Sequence, residues 1–398
     1  MAMPDAFATR CVAGWDIGGA HLKACVLQRG EVIDVAQWAC PLWQGMEHLD
    51  AALQAARQRW PGLRAMQHAV TMTGEMCDLF AHREDGVRRI AEALEQALLT
   101  RPLDGSTDAA HRGSVHFHAG DAGWCVGADV AANWEAIASA NWLATARHAA
   151  LRFGAGAAEG VLVDIGSTTT DLIAFKAGRV LTRSRTDAQR LARGELVYQG
   201  VVRTPLCALA QRIDWCGTPH NVMNEFFATT ADVYRLTGEL NPAHDLHPSA
   251  DNAAKGLPAT RQRLARMVGL DARQGTAEAW TTFARSWREA QVTELGGQLR
   301  RVIETHRLGA AAVVVSAGCG DFLVRDVLAN ADECADACAD SDAVAQTAPT
   351  PPRRLAVYGS EVARVSAHAC AGRGAVEAWA QVCAPSVAVA ALFDLDHR

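Results

Sequence analysis

The sequence predicts two related α/β domains, on three observations. A block of strand, tight turn, strand and strand opens at Cys11 and again at Gly160. Each first turn follows an acid at the end of an apolar run, in Asp16-Ile17-Gly18-Gly19 and in Asp164-Ile165-Gly166-Ser167. After each block, helical and strand-like segments alternate, which implies a mixed sheet covered by helices.

In chain order, Cys11–Asp16, Leu22–Gln28 and Glu31–Trp38 read as strands, separated by the turn signals Gly18-Gly19 and Arg29-Gly30. A helix is expected over Met46–Arg59, stopped by Trp60-Pro61-Gly62, then a strand over Ala65–Thr73. Apolar residues at helical spacing mark Gly86–Leu99 as a helix. Ser114–His118 reads as a strand and Ala131–Arg152 as one helix. The second block has strands at Gly160–Gly166, Thr170–Lys176 and Arg179–Thr186. A charged, mostly helical stretch follows, about 191–300. Ala311–Ser316 reads as a strand leading through Gly318-Cys319-Gly320 into a helix to about Asn330. Ala331–Pro352 reads as a loop, Leu355–Tyr358 as a strand, and the remainder as a last helix. The domains are therefore 1–158 and 159–398, with the helical stretch inserted in the second.

Composition narrows the classes. Hydrophobic residues make up 49% and charged residues 21% of 398, ample for a core without disulfides or a structural metal. The net charge of −6 is dispersed, with no basic face of the kind nucleic acid requires. No apolar stretch approaches the roughly 20 residues of a spanning helix, and Met1–Arg10 lacks the pattern of a secretory signal. A cytoplasmic protein is expected, its 12 cysteines mostly reduced. Cys11, Cys25 and Cys40 read as small core residues. Cys334 and Cys338 have a metal-like spacing but no second pair of ligands.

Three turns carry the candidate chemistry. In the first, Gly18 and Gly19 allow close approach to the backbone, and successive N–H groups can form an anion-binding concavity. Lys23 either steadies the turn or meets a phosphate. Asp16 suits a hydrated Mg²⁺, which takes one or two carboxylates plus phosphate oxygens. Alone, this turn also reads as a hairpin with a charged end. The second turn, Gly166-Ser167-Thr168-Thr169-Thr170, offers four hydroxyls between Asp164 and Asp171, a row hard to explain by packing. The third runs from an apolar strand through Gly318-Cys319-Gly320 into a helix, whose N-terminus is a ready anion site. It fits neither a full dinucleotide fingerprint nor a Walker pattern.

In this order and spacing the three turns resemble the acetate and sugar kinase, Hsp70 and actin superfamily. That resemblance implies two duplicated ribonuclease-H/actin-like domains with a central cleft, and Gly318 and Gly320 at an adenosine-binding turn. Gly14–Ala20, Thr71–Glu75, Asn141-Trp142, Asp164–Asp171 and Tyr198–Pro205 resemble, more narrowly, the hydantoinase A/oxoprolinase-like branch linked to tetrahydromethanopterin-dependent one-carbon transfer. This branch includes the condensing enzyme of methanofuran biosynthesis. The implied activity is a transfer: an aminomethyl-furanmethyl diphosphate joins the phenol oxygen of a tyramine- or tyrosine-type acceptor, releasing diphosphate. In bacteria the product would serve methylofuran. The chain departs from the branch at His21 and Leu22, where Asn- and Thr-type residues are expected, and in its longer acidic loop.

Such a reaction needs charge neutralisation on the diphosphate and a base for the phenol. Asp16, Asp164 and Asp171 are the candidate ligands of Mg²⁺, and Lys23 and Arg203 the candidate cations. Arg203 reads equally as a surface residue before Pro205. A phenol of pKa near 10 is about one part in a thousand ionised at pH 7, a shortfall of about 4 kcal/mol. Glu75, with Asp78 nearby, follows a predicted strand and is the candidate base; it could instead cap the next helix. Asp121, Asn141, Trp142, Glu225 and Asp232 are further candidates, Trp142 reading mainly as core. Asn224-Glu225-Phe226-Phe227 is expected to open a helix of the insertion, which would roof the site and choose the acceptor. His21 and His118 lack a zinc-spaced second ligand, and Cys207 and Cys319 lack a nearby His. The competing readings are an ATP-dependent kinase or hydrolase, with ATP or ADP bound, and a nucleotide-binding protein without turnover.

Overall fold

The computed structural model describes residues 11–99, 113–339 and 353–398. The fold is a mixed α/β fold, and its chain divides into two compact units.

The first unit is built on a six-stranded sheet in the order β3-β2-β1-β4-β5-β6. Its strands are β1 (Cys11–Ile17), β2 (His21–Gln28), β3 (Glu31–Ala39), β4 (Gln67–Met72), β5 (Val115–His118) and β6 (Trp124–Cys125). The first three are antiparallel; β4 and β5 then run parallel to β1. The β2–β3 hairpin closes through Arg29 and Gly30, both at positive φ (54° and 76°), the pairing that suits strand twist. Helices α1 (Glu47–Arg59) and α2 (Arg83–Leu99) bury Leu49, Leu53, Ile90 and Leu94 in the same core as Trp15 and Ile17.

The predicted helix over Ala131–Arg152 is three pieces: α3 (Asp129–Ala132), α4 (Trp134–Ile137) and α5 (Asn141–Phe153). The break before α5 is at Ser139, whose φ of 51° cannot continue a right-handed helix.

The second unit holds β7 (Glu159–Ile165), most of β8 (Thr170–Lys176), β10 (Leu196–Val197), β13 (Val313–Ala317) and most of β14 (Leu355–Val357). The order is β10-β8-β7-β13-β14, with β7 and β13 parallel. The far end of β8 pairs with β9 (Arg179–Val180), so the strand expected over Arg179–Thr186 is only two residues long. The stretch after β9 bends away, with Ser184 N–H bonded to Thr182 Oγ1 at 3.0 Å instead of to a ladder.

The insertion contains α6 (Asp187–Arg193), α7 (Leu206–Leu209), the hairpin β11–β12 (Arg212–Trp215, Thr218–Asn221), α8 (Thr230–Thr237), α9 (Leu257–Arg266) and the 29-residue α10 (Ala277–Thr305). Asn224–Phe227 does not open a helix. Glu225 and Phe227 N–H groups bond two residues back, and α8 begins only where Thr229 and Asp232 form a capping box. Helix α11 (Val324–Ala339) runs past the predicted end at Asn330, because the Ala-rich stretch taken for loop has high helix propensity. The rest of that predicted loop, 340–352, lies outside the described residues.

The C-terminal part differs most from the expected division. The two units separate first at Ala158/Glu159, but Phe175–Asp187 and Val357–Arg398 belong with the first. Helices α12 (Arg373–Val382) and α13 (Ala384–Asp396) are split by a bend, and α13 lies on β1. Gly14 makes this contact possible: a Cβ there would stand 2.1 Å from the Ser386 carbonyl. A non-local contact of this kind leaves no periodic signal in sequence. No single helix among the described residues is long and apolar enough to cross a membrane, and the described cysteines form no disulfide; Cys25 and Cys40 are buried as expected, whereas Cys11, at the start of β1, is only half-buried.

Candidate active site

The first turn closes through Gly18 N–H donating to the His21 carbonyl at 3.0 Å. Its outward carbonyls are then taken up. Leu42 N–H donates to Gly19 at 3.0 Å and Cys40 N–H to Ala20 at 2.9 Å. The Gly19 and Ala20 N–H groups donate to no acceptor among the described residues, so the turn presents donors. Asp16, buried at the end of β1, is paired in register with Lys23 on β2 and Thr71 on β4, all on one face of the sheet. His21 and Leu22 are both buried, so these departures from the family pattern point into the protein.

Because β4 runs parallel to β1, their carboxyl ends meet, as site residues of α/β sheets commonly do. Thr73 N–H donates to the Ile17 carbonyl at 2.9 Å, and a Cβ on Gly74 would stand 3.2 Å from that same oxygen. The next residue is Glu75. It is 1% exposed and lies in a short 3-10 turn, not at the cap of α2. Ser139 Oγ donates to Glu75 Oε1 at 2.7 Å, whereas Oε2 has no hydrogen-bond partner among the described residues. Burial raises the Glu75 pKa from its ordinary 4.5 to about 7, against the lowering pull of Ser139. A carboxyl group beside an amide-donor turn, poised near neutrality, is a candidate general base. Asn141 starts α5 two residues after Ser139, with its Oδ1 accepting from Trp142 N–H at 2.7 Å; Trp142 is core. Asp78 is exposed.

The second turn repeats the first. Gly166 N–H donates to the Thr169 carbonyl at 2.8 Å. The turn's carbonyls accept from the segment after β10: Val201 N–H to Gly166, and Val202 and Arg203 N–H to Ser167, at 2.8–3.1 Å. Ser167 and Thr168 N–H groups donate to nothing among the described residues. Arg203 Nη1 reaches Thr168 Oγ1 at 3.5 Å, so the structure brings this predicted cation to the turn. Gly200 permits the arrangement, since a Cβ there would stand 2.4 Å from Thr168 N. Its carbonyl is held by Thr230 Oγ1 and by Gln291 Nε2 at 2.9 and 3.1 Å, so α8 and α10 brace the turn.

The third element packs onto this one. Gly318 has φ 86°, and a Cβ on it would stand 2.2 Å from the Ile165 carbonyl and 2.6 Å from Asp164 Oδ1. Gly320 N–H donates to Ile165 O at 2.8 Å. Both glycines therefore have a packing reason in addition to their predicted binding role.

Other predicted residues fall elsewhere. Asp171 is ion-paired to the buried Arg190, which makes it a poor metal ligand. Asp232 is buried, caps α8 and pairs with Arg235 and Arg263, a structural role. Glu225 is exposed on the bent segment before α8. Asp121 and His118 line a separate cavity of the first unit. For Mg²⁺, Asp16 and Asp164 each offer one carboxylate beside an amide turn, which fits an ion held largely by phosphate oxygens and water. No cluster of three metal-binding side chains occurs among the described residues, so protein ligands alone would not complete its coordination. Ser139 and Gly200 were not among the predicted site residues. The Gly within Tyr198–Pro205 is the sequence signal for Gly200; Ser139 carries none.

The hydantoinase/oxoprolinase family model matches residues 67–343. The chain belongs to this family. Its relatives include a protein of Methanocaldococcus jannaschii, 26% identical over 80% of this chain and 88% of that one. A second, from Methanococcus vannielii, is 30% identical over 42% of this chain and 74% of its own. Both are named as synthases of a furan-2-yl-methanamine whose phenoxymethyl arm carries a 2-(γ-L-glutamylamino)ethyl group. Among solved structures, nucleotide-free acetone carboxylase aligns with a TM-score of 0.50 at 12% identity, covering 79% of this chain and 66% of that one. This likeness shows that the family member shares an actin-like ATPase fold. The resemblance drawn from the glycine and hydroxyl turns is thus borne out at the level of family and fold.

Proposed function

We propose that this protein is a transferase of furan-cofactor biosynthesis that forms an aryl ether. An aminomethyl-furanmethyl diphosphate and a tyramine- or tyrosine-type phenol are the substrates, and diphosphate is the leaving group. The reading is carried by Glu75, a buried carboxyl with a pKa of about 7, held by Ser139 next to the Gly18–Ala20 donor turn. The names of the two methanogen relatives, whose product contains a phenoxymethyl-furan, support the substrate class.

In this scheme the diphosphate lies against the Gly19 and Ala20 N–H groups, with Lys23 adding positive charge. Glu75 accepts the phenol proton. The phenolate oxygen forms a bond to the furanmethyl carbon while the carbon–oxygen bond to diphosphate breaks, the electron pair leaving with the diphosphate. The proton passes from Glu75 to solvent. Mg²⁺ held at Asp16 would neutralise charge on the leaving group. Proton transfer from a phenol of pKa near 10 is uphill by about 4 kcal/mol to a carboxylate at about 7, against about 7 kcal/mol at its ordinary value of 4.5. Burial thus makes Glu75 the stronger base. The second unit's Ser167–Thr169 turn is proposed as an equivalent phosphate cradle with its own cation, Arg203.

The test is mass spectrometry of reactions containing Mg²⁺, the furan diphosphate and a panel of tyramine, tyrosine and their γ-glutamyl forms. An ether product with stoichiometric diphosphate is expected, and it identifies the acceptor. Folded protein that forms no ether but consumes ATP with one of these amines or acids would replace this reading with a kinase-type one.

A further inference from the structure

Apart from the Glu75 region, the first unit contains a cavity of about 460 Å³. That is within the usual range for small-molecule sites, roughly 300–1,000 Å³. It is bounded by the end of β5, by α5, by the segment around β9 and by α13. Its walls are apolar where Leu143, Leu151 and Leu392 line it. Its charges are not balanced: three guanidinium groups against two carboxylates leave one positive charge over.

The arginines are not equivalent. Arg185 is bound to Asp121, with contacts of 2.7 and 2.8 Å to Oδ2. Arg147 donates to the Gly120 carbonyl at 2.9 Å and lies 3.9 Å from Asp121. Arg179, from β9, has no ion pair among the described residues. Asp396 accepts from Trp124 Nε1 at 2.9 Å. The surplus charge therefore sits on Arg179, with Arg147 second.

His118 is the other unsatisfied group of the lining. It is 2% exposed, and neither ring nitrogen has a hydrogen-bond partner among the described residues. Its ring packs edge-on against Trp124, with centroids 5.4 Å apart. Burial, with Arg147 nearby, lowers its pKa to about 4, so at neutral pH it is an uncharged imidazole with one donor and one acceptor. Leaving buried polar groups unpaired is costly, and a ligand that pairs with them recovers that cost.

We propose that this cavity is a binding site for a small organic monocarboxylate with an apolar body. The carboxylate meets Arg179 and Arg147, and the body lies between Trp124 and the leucines and reaches His118. One surplus charge suits a monoanion, and the volume far exceeds that of a bare inorganic anion. The proposal is independent of the chemistry assigned to Glu75.

Calorimetric titration of the full chain with 3-phenylpropanoate, 3-phenylpropanamide and inorganic phosphate tests it. Saturable binding of the carboxylate is expected, with no binding of the amide. Arg179→Glu should weaken binding at least tenfold, and Arg179 is exposed, so the variant should fold. His118→Asn should also weaken it, whereas Arg273→Glu, at an 86% exposed side chain of the second unit, should not. No saturation with the acid, equal binding of the amide, preference for phosphate, or undiminished binding by Arg179→Glu would each overturn the proposal. Binding that survives Arg179→Glu but is lost in Glu75→Gln would move the acid to the Glu75 site and also overturn it.

Discussion

Ser139 donates its hydroxyl to one oxygen of Glu75 at 2.7 Å while the other oxygen is buried without a partner. The carboxyl is thus half satisfied, and its charged form is disfavoured. The unfolded chain releases this proton near 4.5, the folded chain near 7. Between these values the folded state holds a proton that the unfolded state has lost, so stability falls as pH rises. The fall should total about 3 kcal/mol and level off above pH 7.

Glu75→Gln should therefore lack this slope, becoming more stable than the parent at pH 8 but not at pH 4.5. Urea unfolding at several pH values measures it. Identical slopes in the two proteins would show that Glu75 does not titrate near neutrality. For the proposed transfer, the same variant should lose about a hundredfold or more in turnover, the typical contribution of a general base.

Ser139→Ala removes the bond that lowers the Glu75 pKa. The rising limb of the pH–rate profile should move to higher pH, with the plateau less affected than in Glu75→Gln. Ser139→Gly should move the limb in the same way yet lose less stability, since glycine accepts the φ of 51° without strain. A limb unmoved by both substitutions would mean that Ser139 only shapes the loop.

Gly200→Ala places a methyl group 2.4 Å from Thr168 N and 2.5 Å from Gly166 O, both backbone atoms. Backbone must shift, so the second turn should open. Overpacking of this kind costs about 1–3 kcal/mol. Calorimetry with Mg²⁺–diphosphate should show weaker binding in this variant. Wild-type affinity in the folded variant would exclude the Ser167–Thr169 turn as a phosphate cradle.

Arg263 is fully buried and donates to Asp232 at 2.7 Å, to Asp251 at 3.1 Å and to the Ala254 carbonyl at 3.1 Å. Arg263→Ala should destabilise the second unit by about 3 kcal/mol, the lower end for breaking a buried pair, because Arg235 still faces Asp232. Denaturant unfolding reads this directly. A change below about 1 kcal/mol would place the pair among those worth little.

The parts legible in the sequence were those whose chemistry is local. The Gly18-Gly19 and Gly166–Thr169 turns announce themselves because only small or hydroxyl residues suit a donor-presenting turn after a buried strand. Arg29-Gly30 did so through its hairpin geometry. The parts that were not legible depend on distant partners. Asp171 looks like a metal ligand until Arg190 is folded against it. Asp232 looks like a site acid until Arg263 arrives from α9. The Ala131–Arg152 run keeps helical periodicity straight through Ser139, so its break is invisible without the Glu75 contact that rewards it. The same holds for α13, whose place on β1 is a contact across more than 300 residues.

That placement of α13 bears on how the protein is made. During synthesis β1, β2 and β4 leave the ribosome early, but the helix that covers the Gly14 face of the sheet follows only after the whole second unit. The first sheet must therefore wait, one apolar face open, while the second unit is translated, at about 5–20 residues per second. Such a delay exposes aggregation-prone surface and makes the first unit the natural client of a holding chaperone. The second unit, whose strands and bracing helices lie within one span of chain apart from a short excursion, can close before the first is finished.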